Sequence, residues 1–208
     1  MKKEFFTGLA AGIMILLLNS INVFASTTVD TGTPKNMDIQ WSFHSNSVSE
    51  VWLAGQFTLN KPFTLTEIKT YLTPRYAGAV TVAVYEGGDV PQLGSSLFSD
   101  TFQGMDNGQT SWYGLSNLNW TLSSGTYWVA FEAREKDNYY STLPSDVPSP
   151  LDAYASYNPS LSAQYILSSN PDFNFGIKII GNPVPIPSAV WLLGSGIVAL
   201  AYSKRRTF

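Results

Sequence analysis

The side chains that could do catalytic chemistry are few in this chain. Its 208 residues include one histidine, His44, and no cysteine. A histidine activates a nucleophile only when a carboxylate orients it, and the sequence has no Gly-x-Ser-x-Gly motif to supply such a nucleophile. A single histidine also cannot form a His-clustered metal site. We therefore expect no catalytic residue, no metal and no cofactor.

Acidic residues remain as candidates for acid–base chemistry, because two carboxylates at strand ends suffice to cut a glycosidic bond. Candidates are Glu50, Glu86, Glu132 and Asp137. The acids are scattered along the chain, so pairs arise by chance, and solvated charges at strand edges explain them better. The short run 106–108, Asp-Asn-Gly, predicts a turn, since a calcium loop needs dense alternating Asp and Asn. The sequence has no motif that is typical of an enzyme.

Aromatic side chains are enriched, at 14% of the chain. Sugar rings stack on exposed Trp or Tyr faces, so aromatic residues in loops are candidates for carbohydrate binding. The alternative is that a protein without disulfides uses these residues to fill its core. Six lie in stretches that the sequence predicts as turns or loops, and they are the candidate ligand-binding residues: Trp112, Tyr113, Tyr139, Tyr140, Tyr154 and Tyr157.

Strands, not helices, must position these residues, since no segment between residues 26 and 182 has an apolar period of 3.6 residues. Residues 80–85 and 126–132 alternate cleanly between two faces, which predicts strands. Near Thr66 the apolar phase slips, which predicts a β-bulge or a break between strands. Residues 134–159 hold four prolines and many serines and predict a long loop, followed by a strand at 173–180. The predicted fold is all-β, an antiparallel β-sandwich of about eight to ten strands, jelly-roll or galactose-binding-like.

The first 25 residues have the pattern of a secretory signal peptide. Lys2 and Lys3 give a positive start, residues 9–18 are apolar, and small residues precede an expected cut between Ala25 and Ser26. The body that follows, residues 26–182, has the size of one domain and carries seven basic against fourteen acidic residues. This negative charge argues against nucleic acid as a partner.

The chain ends with a short apolar segment that precedes a basic cluster. Pro183, Pro185 and Pro187 keep the backbone extended, residues 188–202 carry no charge, and a cluster at 204–206, Lys-Arg-Arg, follows. This order is typical of one membrane helix whose cations stay in the cytoplasm. The 15 uncharged residues span only about 22 Å as a helix, against about 30 Å of hydrocarbon, so this is a short transmembrane anchor.

This tail, residues 183–208, resembles the PEP-CTERM sorting signal of Gram-negative bacteria. The residues that carry the resemblance are Pro185, Ile186, Pro187, Trp191 with the run Trp-Leu-Leu-Gly-Ser-Gly, Lys204, Arg205 and Arg206. The chain departs from the family at Ile186, where the family's signal has a glutamate. The resemblance implies a partner, an exosortase-type membrane peptidase that removes the signal. It also implies a path from an inner-membrane-anchored protein with its body in the periplasm to the cell surface or the extracellular space. The alternatives are a plain C-terminal membrane anchor and a buried hydrophobic helix.

The body itself resembles, more faintly, the choice-of-anchor β-sandwich domains that precede bacterial anchoring tails. The resemblance rests on residues 57–59, 65–72, 80–85 and 125–128, which are strand patterns and transfer no functional residue. Two functions follow as expectations. The first is a non-enzymatic surface or extracellular-matrix protein, associated with exopolysaccharide or biofilm. The second is a carbohydrate-binding module that uses the loop aromatics.

Overall fold

The computed structural model describes residues 26–45, 50–135 and 139–184. Within them the chain forms strands and no helix. The twelve strands are β1 (Ser26–Asp30), β2 (Asn36–Ser45), β3 (Glu50–Leu59), β4 (Phe63–Tyr76), β5 (Gly78–Glu86), β6 (Phe98–Gly104), β7 (Ser111–Leu122), β8 (Gly125–Glu132), β9 (Tyr140–Ser145), β10 (Tyr154–Tyr157), β11 (Tyr165–Leu167) and β12 (Ile177–Pro183).

The strands form one curled antiparallel sheet in the order β1-β12-β4-β9-β2-β3-β8-β5-β6, with β7 on β4 and the β10–β11 hairpin on β3. The 14-residue β4 makes the curl, because it pairs with β12 along its first part and with β9 along its second. The far strands β6 and β7 then approach each other, and the rings of Phe98 and Trp120 stack with centroids 5.5 Å apart. This all-β architecture is consistent with the expected sandwich.

The main core lies between the two halves of the curled sheet. One wall consists of alternate residues of β5 and β8, among them Val82 and Phe131, both fully buried. Phe131 meets Phe175 of the opposite wall edge-on, at 6.4 Å between centroids. Gly55 permits the close approach of the two walls, since a Cβ there would lie 2.5 Å from Cδ1 of Ile177. The period-two pattern of β5 and β8 therefore builds the packed centre of the domain.

The bulge predicted near Thr66 is present. β4 continues without a break, and its register against β7 shifts between Leu65 and Glu67. Leu65 and Ile68 are both fully buried although they are three residues apart. Because the extra residue restores the inward phase, one long strand can serve both halves of the sheet.

The prediction of a long loop at residues 134–159 is wrong, because β9 and β10 lie within it. Of the four prolines that suggested a loop, Pro144 lies within a strand, and the other three lie between strands or after β10. Pro144 of β9 pairs with Gln40, where the register of β2 shifts, and Pro74 of β4 lies beside another shift. A proline lacks the N–H that a regular ladder requires, so it fits a strand at such points. The last strand also begins later than predicted, at Ile177.

The outer face of β3, β8 and β5 is covered as well. Four fully buried alanines form a row across it, Ala155, Ala54, Ala130 and Ala83, each paired with the next. Residues 87–97 cover one side of this row, held where Nε1 of Trp128 donates to the carbonyl oxygen of Gly88 at 3.1 Å. The β10–β11 hairpin covers the other side. Residues on both faces of β8 are therefore buried, and the small alanines leave room for larger side chains to lie across the sheet.

The first and last strands of the described chain lie side by side. Ser26 pairs with Gly181 in an antiparallel ladder, so β1 begins at the end of the sheet where β12 finishes. Just beyond β12, the amide of Val184 donates to the carbonyl oxygen of Pro62 at 3.0 Å. The chain thus enters and leaves the fold at one place, beside the turn between β3 and β4.

Candidate functional site

A cleft of about 230 Å³ opens between two loops at the edge of the sheet. Its lining residues come from the loop before β10 and from the loop between β11 and β12, and they are Pro150, Leu151, Asp152, Tyr154, Ser168, Ser169, Asn170, Pro171, Phe173 and Asn174. The two aromatic members are buried, with 6% of Tyr154 and 8% of Phe173 exposed. The cleft therefore has an apolar floor made of ring edges and a polar rim.

Hydrogen bonds fix both loops of the cleft. The amide of Ser168 donates to the carbonyl oxygen of Tyr154 at 2.9 Å, which holds one loop against β10. The side-chain oxygen of Asn170 accepts from the amide of Asp172 at 3.0 Å. The side-chain oxygen of Asn174 accepts from the amide of Val147 at 3.1 Å and so ties one loop to the other. The cleft is formed by the fold itself rather than by exposed loose side chains.

Several polar groups at the rim have no partner among the described residues. The exposed Asp152 carboxylate makes no hydrogen bond or ion pair there, and the Ser169 hydroxyl makes no hydrogen bond. The side-chain NH₂ groups of Asn170 and Asn174 make none either, because only their oxygens are used. The rim therefore presents one negatively charged acceptor, one hydroxyl and two amide donors to whatever enters the cleft.

The hydroxyl of Tyr154 is committed to the structure beneath the cleft. It accepts from the amide of Leu151 at 3.1 Å and donates to the carbonyl oxygen of Phe175 at 3.5 Å. Burial raises the pKa of Tyr154 to about 12, although the two backbone hydrogen bonds act in the opposite direction. The phenol is thus neutral at physiological pH and positions the loop rather than acting as a base.

Two of the six aromatic candidates, Trp112 and Tyr113, lie on β7. Trp112 pairs with Tyr71 across the ladder, at 5.3 Å between ring centroids, and the ammonium of Lys178 lies 4.7 Å from its centroid. The hydroxyl of Tyr113 donates to the carbonyl oxygen of Gln109 at 2.8 Å. Both rings are half-buried and already have partners within the domain. They lie on a different strand from the cleft and do not line it.

Tyr139 and Tyr140 are separated by burial. Tyr139 is fully buried, with its ring edge-on to Phe43 at 5.4 Å, so it cannot reach a ligand from this position. Tyr140 is half-exposed on β9 and lies between Tyr76 and His44, at 6.2 Å and 6.1 Å between ring centroids. Burial lowers the pKa of His44, so the imidazole is neutral near pH 7. Tyr76 is 60% exposed, so this row presents an accessible aromatic surface.

Tyr157 belongs to a third aromatic group. It stacks on Trp52 of β3, with centroids 4.4 Å apart and planes at 30°, and its ring is 5.7 Å from that of Tyr165. Since Trp52 belongs to β3 while Tyr157 and Tyr165 belong to β10 and β11, these ring contacts hold the β10–β11 hairpin to the sheet. Of the six candidates only Tyr154 lines the cleft, and the six do not form one surface.

A buried charge lies under the same hairpin. The Glu132 side chain has no exposed area, and its Oε1 accepts hydrogen bonds from the hydroxyls of Tyr85 at 2.7 Å and Tyr165 at 2.8 Å. Its Oε2 accepts from Nε of Arg134 at 2.6 Å. Burial, together with the neighbouring carboxylate, raises the pKa of both tyrosines well above the ordinary value. The expectation that Glu132 is a solvated edge charge is wrong.

This network is a structural junction between β5, β8 and β11. Three donors reach the two carboxylate oxygens, and the side chain has no exposed area, so the network satisfies a buried charge and offers no surface to a substrate. One sequence signal could have indicated this buried network. Glu132 shares a strand face with Trp128 and Ala130, so its charge falls on an otherwise apolar face of β8. Tyr165, which completes the network, lies 33 residues further along the chain.

For metals and membranes, the structure gives two findings about the residues that it describes. They contain no group of three or more His, Asp or Glu side chains that could hold a metal ion. They also contain no helix long and apolar enough to cross a membrane. The expected sorting residues Pro185, Ile186, Pro187, Trp191, Lys204, Arg205 and Arg206 lie outside the described residues, as does Ala25, whereas Ser26 is the first residue of β1.

Comparison with known proteins does not assign this chain to a family. No family model, no curated protein and no solved structure matches it.

Proposed function

We propose that this chain is an exported, non-enzymatic surface or extracellular-matrix protein, held at the inner membrane through its C-terminal segment and then processed there. The observation that carries the proposal is the position of the two ends of the fold. β1 begins at Ser26 and pairs with β12, which ends at Pro183. Export followed by processing at the tail requires a folded body between the two terminal signals. The described fold occupies that interval, between the expected export signal and the expected sorting signal.

The tail supplies the rest of the argument. The sequence predicts that alternating prolines keep residues 183–187 extended, which would suit a segment that a membrane peptidase must bind outside the bilayer. The apolar run is short for a permanent anchor, and the basic cluster at 204–206 holds its end in the cytoplasm. An exosortase-type peptidase is the proposed partner. The body is proposed to be a choice-of-anchor type sandwich, jelly-roll or galactose-binding-like, that associates with exopolysaccharide.

Mass spectrometry of the native protein tests this proposal. The mature chain is expected to begin at Ser26 and to lack residues 188–208, with the cut near Pro185-Ile186-Pro187. Replacing Pro185 and Pro187 by Ala should let the expected tail helix extend outward, so processing should slow while export continues. Pro159→Ala, in an exposed turn of the body, is the matched control. Mature molecules that retain Arg206 and Phe208 would show a simple anchor and remove the sorting part of the proposal.

Carbohydrate binding is the second candidate, and one observation favours it. Tyr154, one of the six aromatic candidates, lines a preformed cleft with a polar rim. A glycan array probed with residues 26–184, which include all of β12, tests this candidate, and retention of no glycan on the array would remove it. The first proposal would be unaffected, because export and tail processing do not depend on a ligand.

A further inference from the structure

We infer that the cleft between the loops at 150–154 and 168–174 is a binding site for a single neutral polyhydroxylated ring, such as one sugar residue, recognised by Asp152, Ser169, Asn170 and Asn174. This inference rests on the second candidate function and names the site and the ligand chemistry for it. It differs from the expectation of an aromatic stacking platform, because the residues that recognise the ring here are polar.

The size of the cleft limits the ligand. Its volume of about 230 Å³ is below the roughly 300–1,000 Å³ of sites that enclose drug-sized molecules. One six-membered ring with its hydroxyl groups is the size of ligand that such a space accepts, and an extended oligosaccharide could place only one residue in it. The hydrogen bonds that tie Asn174 to Val147 and Ser168 to Tyr154 form the cleft in advance, so binding has a small ordering cost.

The rim groups determine the polarity of the ligand. The Asp152 carboxylate only accepts hydrogen bonds, the NH₂ groups of Asn170 and Asn174 only donate, and the Ser169 hydroxyl does both. A ligand that satisfies all of them must both donate and accept, as adjacent sugar hydroxyls do. An ammonium group has no acceptor for the two amides, and an anion is repelled by Asp152. A neutral polyhydroxylated molecule is the class that remains.

The aromatic floor contributes in a limited way. Only 6% of Tyr154 and 8% of Phe173 is exposed, and their rings meet edge-on at 6.4 Å, with planes at 87°. No open ring face is available to cover a sugar from below. The ring edges, with Pro150, Leu151 and Pro171, instead form an apolar floor against the C–H groups of the ligand. Hydrogen bonds at the rim therefore determine affinity, and changing a rim group is the informative experiment.

The test is an NMR titration of the ¹⁵N-labelled full chain, residues 1–208, in a detergent without a sugar headgroup. The probes are the methyl glycosides of glucose, galactose, mannose and N-acetylglucosamine. At least one is expected to shift the side-chain amide signals of Asn170 and Asn174. Asp152→Ala removes a charged acceptor that has no structural partner, and it should weaken that binding by about tenfold or more. The unfolding temperature should stay the same.

Asp89→Ala is the matched control, because Asp89 is also exposed and does not line the cleft. It should leave the affinity unchanged. A glycoside that shifts the signals of Tyr76 and Tyr140 but not those of the cleft would overturn the inference and leave carbohydrate binding in place. No shift by any of the four glycosides, with Asn170 and Asn174 responding to ethylammonium chloride instead, would identify an amine site and overturn it. No shift by any probe overturns it too.

Discussion

Removing the hydroxyl of Tyr165 should reveal how strongly the buried Glu132 holds the β10–β11 hairpin to the sheet. Tyr165→Phe keeps the ring and its packing against Tyr157, and it deletes one donor to Oε1 of Glu132. The carboxylate still accepts from the Tyr85 hydroxyl at 2.7 Å and from Nε of Arg134 at 2.6 Å, so the buried charge keeps two of its donors. The change therefore isolates one hydrogen bond to a buried charge.

A hydrogen bond to a charged group contributes about 1.5–3 kcal/mol. For a body of this size, each kcal/mol shifts the midpoint by about 2–4 °C, so Tyr165→Phe should lower Tm by roughly 3–12 °C. The free energy of unfolding is measured by urea denaturation and Tm by circular dichroism. Tyr76→Phe is the matched control, since that tyrosine is 60% exposed and should change the free energy of unfolding by no more than about 0.5 kcal/mol.

The outcome that refutes this reasoning is a Tyr165→Phe variant as stable as the Tyr76→Phe control. The Tyr165 hydroxyl would then contribute nothing to the free energy of unfolding, and Glu132 would not hold the β10–β11 hairpin to the sheet. A double-mutant cycle with Tyr85→Phe adds a sharper check. Because the two hydroxyls share one oxygen, the double variant should lose more stability than the sum of the single losses.

Three further predictions concern the body as a whole. Residues 26–184 should unfold in one cooperative transition without the rest of the chain, because every described strand lies within them; a broad, non-cooperative melt would contradict this. EDTA should leave Tm unchanged, since the described residues hold no metal-binding cluster, and a fall of several degrees would show a site that was missed. Stability should decrease as the pH rises from about 10 towards 12, because Tyr85, Tyr154 and Tyr165 stay protonated in the fold while the unfolded chain releases those protons. Tyr165→Phe should flatten that alkaline slope, and a slope equal to that of the wild type would contradict the assignment.

The alternating segments were the part of the fold that could be read from the sequence. In β5 and β8 successive residues point to opposite faces, so the pattern of valines and aromatics predicted both strands. The phase slip at Thr66 predicted the bulge for the same reason. These features depend only on neighbouring residues, and such local patterns are visible without knowledge of the partner strands.

The features that depend on distant segments could not be predicted. Glu132 is charged, and nothing near it in sequence indicates that Tyr165 will cover it. Pro144 argued against a strand, because its place at a register shift becomes known only when β2 is paired with β9. The cleft is formed by two loops that the strand ladders of β10 and β12 bring together. No sequence pattern near Asp152 or Asn174 therefore indicates that the two residues line one cleft. The ring of Tyr154 is buried, whereas the polar side chains around it, such as Asp152 and Asn170, are exposed.

The pairing of β12 on both sides has a mechanical consequence. Tension on the chain beyond Pro183 enters the fold through β12, which is hydrogen-bonded to β1 on one side and to β4 on the other. Hydrogen bonds of antiparallel ladders are perpendicular to the strands, so a pull along β12 loads many of them together in shear, and they are not opened one at a time. Forced unfolding depends on the unfolding rate and not on equilibrium stability. A body tethered by this end can therefore resist drag from flow or from an attached polymer more strongly than its overall stability alone would suggest.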